Sequence, residues 1–137
     1  METETLNKDI KVFCITANPF PEGVKKAFDE LNEYFPPNNS RRIFGLSRPE
    51  NGHIIYKAAA EILDIKEEES YNLEIIHIRK GKYIMEWIHD YMKNMQKFGQ
   101  IFQQLLTDPS IDHKGYCVEW YVDKDVKCMV RLEDASS

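Results

Sequence analysis

Tyr116-Cys117-Val118-Glu119-Trp120-Tyr121-Val122, then Asp123-Lys124-Asp125, then Val126 to Leu132, reads as two strands joined by a short polar turn. Aromatic and β-branched residues suit the pleated surface of a sheet. Side chains alternate across a strand, so Val118, Trp120 and Val122 point one way and Cys117, Glu119 and Tyr121 the other. One carboxylate therefore shares a face with an aromatic ring. Such an acid can hold a cation, serve as a perturbed acid or base, or be an ordinary solvated glutamate.

Working outward, the hairpin closes the second half of a chain that reads as one unit written twice. In the first half, Lys11 to Pro19 is strand-like. Val24, Ala27, Phe28, Leu31 and Phe35 then recur at helix spacing, with Pro21 in the first turn and Pro36-Pro37 as the stop. A strand at Ile43 to Ser47 and the turn Pro49-Glu50-Asn51-Gly52 lead to a returning strand through His53, Ile54, Ile55 and Tyr56. Asn-Gly signals a hairpin because both residues tolerate positive φ. Asp64 to Ser70 is a charged connector. In the second half, Leu73 to Arg79 and Tyr83 to Ile88 are strands around a Lys80-Gly81 turn. A helix carries Met92, Met95, Phe98, Phe102 and Leu105 on one stripe, with Asp90 as its N-cap and Asp108-Pro109 as its end.

The order strand–helix–strand–strand, twice, predicts an α+β fold: a duplicated β-α-β-β unit forming one antiparallel sheet with both helices on one face. The other face is then uncovered. An uncovered apolar face binds a ligand in a groove, self-associates as a homo-oligomer, or is folded over by loops. The residues placed to line it are Cys117, Glu119 and Tyr121 from the last hairpin, and Tyr56 from the first, with Phe44 or Ser47. The strand at 83–88 offers Tyr83, Met85 and Trp87 on one side or Ile84, Glu86 and Ile88 on the other. The Tyr83/Trp87 side is favoured for the groove, because Ile84 and Ile88 suit a helix-covered core.

At 137 residues the chain is long enough for one domain with a sizeable core, taken as residues 10–137 behind a flexible acidic tail at 1–9. At 42% hydrophobic and 30% charged it is neither disordered nor membrane-spanning in composition. No apolar run approaches the roughly 20 residues that cross a bilayer. The acidic start Met1-Glu2-Thr3-Glu4 lacks the regions of a signal peptide, which makes the cytoplasm the expected location. A net charge of −5 argues against general nucleic-acid affinity and suits a cationic ligand. Cys14, Cys117 and Cys128 lie far apart in apolar runs and read as reduced, buried thiols. The four histidines show no metal-binding spacing, and neither a phosphate loop nor a nucleophile elbow is present, so no metal site or cofactor is expected. Arg41-Arg42 and the cluster Arg79, Lys80 and Lys82 read as solvated.

Four stretches together resemble the GyrI-like small-molecule-binding domain, the effector-binding domain of bacterial transcription activators. They are Val24-Lys-Lys-Ala-Phe-Asp-Glu-Leu31 after Phe20-Pro21; Ile43-Phe-Gly-Leu-Ser-Arg-Pro49 with Ile55-Tyr56 and Ala58-Ala-Ala-Glu61; Gly81-Lys-Tyr83; and Phe102-Gln-Gln-Leu-Leu106 leading to Tyr116-Cys-Val-Glu-Trp-Tyr121 and Cys128-Met-Val130. They span about residues 10–133. The resemblance implies the duplicated fold and a ligand groove in which Glu119 balances the charge of a lipophilic aromatic cation, with Tyr121, Tyr56, Tyr83 and Trp87 as walls. It also implies a stand-alone member, because no helix-turn-helix precedes residue 10, and hence no direct DNA binding. Stand-alone relatives inhibit DNA gyrase or hydrolyse electrophilic DNA-alkylating natural products. If this chain were an enzyme of the latter kind, Glu119 would be its catalytic residue. The resemblance does not separate binding from these roles.

Overall fold

The computed structural model describes residues 2–38 and 40–134. Among them are eight strands and three α-helices, an α+β architecture in which every described strand pair is antiparallel. The chain divides into two compact units, one running from Ile10 to Ile78, the other taking the stretch up to Asp9 and everything from Arg79 onward. No helix is long and apolar enough to cross a membrane.

The Ile10–Ile78 unit contains β2 (Ile10–Thr16), α1 (Val24–Tyr34), β3 (Ile43–Glu50), β4 (His53–Glu61), α2 (Ile65–Ser70) and β5 (Glu74–Ile78). Its strands lie in the order β3-β4-β2-β5. The β3–β4 turn is the expected one: Asn51 and Gly52 both take positive φ, 53° and 83°, and Glu50 pairs with His53. α1 packs its Ala27 and Leu31 onto Phe13, Tyr56, Ala58 and Ala60 of β2 and β4. The connector expected at 64–70 is a short helix. The Asp64 side chain accepts from the backbone N–H groups of Lys66 and Glu67, and this capping starts α2. Of the Arg41-Arg42 pair, Arg41 is largely withdrawn from solvent while Arg42 stays partly exposed, and both are ion-paired. Arg41 forks onto both oxygens of Glu67 at 3.0 and 2.6 Å and lies 4.5 Å over the Phe35 ring, while Arg42 meets Glu61 at 2.6 Å.

The other unit contains β1 (Glu2–Leu6), β6 (Gly81–Ile88), a 3-10 turn at Tyr91–Lys93, α3 (Lys97–Leu105), β7 (Cys117–Val122) and β8 (Asp125–Arg131). Its strands lie in the order β1-β6-β8-β7. The stretch expected as a flexible tail is thus largely a strand, paired from Glu2 opposite Met85 to Leu6 opposite Gly81. The helix expected from Asp90 begins only at Lys97. Asp90 takes a left-handed conformation, and Asn94 donates from Nδ2 to the carbonyls of His89 and Asp90 at 3.0 and 3.1 Å. Those bonds give the backbone an alternative to a continuous helix. Met92 and Met95 fall in this broken segment and are exposed, whereas Phe98, Ile101, Phe102 and Leu105 pack on the sheet.

Both units bury the face that sequence reading left open. Opposite α1, the residues Val12, Phe44, Leu46 and Ala59 are buried; opposite α3, so are Tyr83, Met85, Val118 and Met129. These strands carry apolar residues on both faces, the pattern of a sheet buried on both sides.

Candidate functional site

β7 pairs with β8, and β8 with β6, in a register that sets Glu119 opposite Cys128 and Cys128 opposite Glu86. Directly paired residues share a face. That face also carries Ile84, Ile88, Val126, Val130, Cys117 and Tyr121, and α3 packs on it through Leu105. Glu119 therefore lies on the helix side of the sheet, not on the side away from it. The helix-free face of these strands, where the groove was expected, carries Tyr83, Met85, Val118 and Met129, all buried.

Glu119 is 8% exposed. Its Oε1 accepts from the Tyr121 hydroxyl at 2.6 Å. The two residues are two apart on one strand, so alternation brings both onto one face. The Tyr121 ring meets Tyr91 edge-on at 5.1 Å between centroids, and Tyr91 meets Phe98 of α3 at 6.3 Å. A carboxylate, a phenol and a run of rings thus follow one another from β7 to α3. Tyr91 escaped sequence reading because it belongs to neither a strand nor a helix stripe. The one local signal is its place directly after Asp90, which takes a positive φ of 50°.

Two thiols adjoin the carboxylate. Burial, and after it the negative field of Glu119, pushes Cys117 up to about 11. The same two causes, in the same order, push Cys128 higher still. Burial raises Cys14 to about 12. All three are neutral thiols at physiological pH, which removes the nucleophilic form.

The remaining predicted walls are placed elsewhere. Trp87 and Tyr83 alternate with Glu86 along β6 and so face away from Glu119. Tyr83 donates its hydroxyl to the Arg79 carbonyl at 2.6 Å, and burial lifts its pKa to about 12. Trp87 shares its row with Lys127 and Trp120. The Lys127 ammonium lies 4.1 Å from the Trp120 ring centroid, 5.5 Å from that of Trp87 and 2.6 Å from the Glu4 carboxylate. Trp87 is therefore a wall around one of the chain's own cations. Tyr56 belongs to the Ile10–Ile78 unit, where it stacks on Phe20 at 5.7 Å and meets Phe28 edge-on beneath α1. Of the five predicted residues, the structure brings together Glu119 and Tyr121.

A polar cavity of about 330 Å³ lies among Arg79, Asp112, His113, Lys114, Arg131, Glu133 and Asp134, and does not include Glu119. Its buried Arg131 is engaged by Asp112 at 3.2 Å, Asp134 at 2.9 Å and the Lys80 carbonyl at 2.9 Å. The arrangement ties the chain ends of this unit together.

No family model matches the chain, and no curated protein matches it in sequence. Solved structures do match. The chain is similar to VCH_CASS2, an integron cassette protein from the mobile metagenome of Vibrio cholerae, at 12% identity and a TM-score of 0.68, over 96% of this chain and 95% of that one. It is similar to SAV2435 bound to tetraphenylphosphonium, at 12% identity and a TM-score of 0.66, over 96% and 93%. It is also similar to a Staphylococcus aureus MU50 protein assigned to bacterial transcription regulation, at 12% identity and a TM-score of 0.59, over 95% and 97%. What these likenesses establish is a shared fold, one on which at least one neighbour holds a small molecule.

Proposed function

We propose that this chain is a small-molecule-binding protein of the GyrI-like kind, with a site centred on Glu119 that takes a lipophilic organic cation. The observation that carries the reading is a nearly buried carboxylate held by a phenol and followed by aromatic rings. A cation leaving water needs a counter-charge, and Glu119 supplies it where the local dielectric is low. Ring faces add about 0.5–2 kcal/mol per good cation contact. Two further facts support the reading. The neighbour SAV2435 is bound to tetraphenylphosphonium, an aromatic monocation. Each unit of this chain also contains a strand, helix, strand, strand run, β2-α1-β3-β4 in one and β6-α3-β7-β8 in the other, as a duplicated unit would.

Calorimetric titration with tetraphenylphosphonium tests the proposal. Glu119→Gln keeps the shape and an acceptor for Tyr121 while removing the charge. It is expected to weaken binding about tenfold or more, equivalent to about 1.4 kcal/mol, with little change in melting temperature. Equal binding by wild type and variant would refute the role of Glu119.

A further inference from the structure

The polar cavity of about 330 Å³, which does not include Glu119, is lined by charges of two kinds. Arg131 is fixed in place. It is 6% exposed, and its guanidinium lies against Gly81, where an added Cβ would come within 2.9 Å of Nε and of one terminal nitrogen. The Lys80 and Leu132 carbonyls and the Asp112 and Asp134 carboxylates take four of its five N–H groups. Arg79 and Glu133 are uncommitted. Both are exposed, and among the described residues neither makes a side-chain hydrogen bond or ion pair, with the other or with any third group. Their backbones are held. The Arg79 carbonyl accepts from the Tyr83 hydroxyl at 2.6 Å, and the Glu133 N–H donates to the Ser110 carbonyl at 2.7 Å.

Besides His113, the lining sets Arg79, Lys114 and Arg131 against Asp112, Glu133 and Asp134. A bare anion or a bare cation meets as much repulsion there as attraction. A ligand carrying both signs a short distance apart does not, because each end finds its opposite. Hydrogen bonds between charged groups are the strong ones, and two uncommitted partners of opposite sign offer one to each end. The volume stands at the low end of the roughly 300–1,000 Å³ of small-molecule sites, which suits a ligand of few atoms. We propose that this cavity is a second site that binds a small zwitterion of the free amino acid class. The carboxylate would meet Arg79 and the remaining Arg131 N–H, and the ammonium would meet Glu133. The proposal uses residues separate from Glu119 and does not depend on the cation site.

Calorimetric titration of the full chain with each of the common free amino acids tests it. At least one is expected to bind at about 1 mM or tighter. Its deaminated and decarboxylated analogues keep the side chain and one charge each, and are expected to bind at least about tenfold more weakly. Arg79→Gln and Glu133→Gln are each expected to weaken the amino acid about tenfold at an unchanged melting temperature. Saturating tetraphenylphosphonium is expected to leave its affinity unchanged. The proposal is overturned if no amino acid binds, if either analogue binds as tightly as the zwitterion, or if both substitutions leave affinity intact. Displacement of the amino acid by tetraphenylphosphonium would move it to the Glu119 site and overturn the proposal as well. None of these results removes the cation site, which is read from tetraphenylphosphonium alone.

Discussion

The three strands β6, β8 and β7 bury a charge on each face, and the two are handled differently. On one face the Lys127 ammonium lies against Trp120 and Trp87 with the Glu4 carboxylate at 2.6 Å. On the other the Glu119 carboxylate is held by the Tyr121 hydroxyl beside Tyr91. The first is a cation whose anion and aromatic walls all come from this chain. It shows, within the fold, the company a buried ammonium keeps: a carboxylate in contact and an indole face within about 6 Å. The second is the complementary half, an anion among rings. The first stabilises β1 at the sheet edge; the second is the charge that the proposed function assigns to a ligand.

That division of roles is open to test, and the strongest blow to it falls on the lysine. Lys127→Met fits the space between the two indoles but strands Glu4, whose side chain is about one-third exposed. The expected loss is about 2 kcal/mol by urea denaturation, less than for a fully buried pair because Glu4 regains water. Affinity for tetraphenylphosphonium is expected to stay within about twofold. A variant that keeps its stability and loses the ligand would break the comparison, since the two faces would then be one functional unit. The reverse pattern is expected of Glu119→Gln: affinity falls about tenfold and stability changes little. A large loss of stability in that variant would make Glu119 structural, like Lys127.

Local features of this fold were legible in the sequence, and long-range ones were not. The Asn51-Gly52 turn is fixed by the backbone freedom of two adjacent residues, and α1 by the spacing of Ala27 and Leu31. Alternation correctly joined Glu119 to Tyr121, and correctly gave Ile84 and Ile88 to the α3 core. It failed to relate the two sets. Parity fixes sides within one strand, whereas the match between strands depends on register. The pairing of Glu119 with Cys128 and of Cys128 with Glu86 puts Glu119 with Ile84 and Ile88, and sends Trp87 away. β1 was missed because Glu2-Thr-Glu-Thr-Leu6 carries almost no apolar signal. It is held by ladder bonds to β6 and by the Glu4–Lys127 pair, 123 residues apart in the chain. The interrupted start of α3 turns on one Asn94 side chain, which no hydrophobic period reveals.

The Ile10–Ile78 unit supplies a control, an ion pair set by hydrogen bonding between two side chains that both keep some solvent contact. Arg41 forks onto Glu67, and that hydrogen bonding holds the Glu67 carboxyl below the usual carboxylate range. A folded pKa below the unfolded value, about 4.3 for glutamate, means the pair's contribution is fully present above the unfolded pKa. It is lost as the pH falls through the folded one. Both side chains keep some solvent contact, at 10% and 19% exposure, so screening limits the contribution to about 1 kcal/mol. Glu67→Gln is therefore expected to be about 1 kcal/mol less stable than wild type at pH 7. The difference should close as both proteins are taken below about pH 4. Urea denaturation at a series of pH values reads it directly. A gap that persists undiminished in acid would show that Glu67 acts through its shape and its hydrogen bonds, such as the one its Oε1 accepts from the Leu63 N–H at 2.7 Å, and not through its charge.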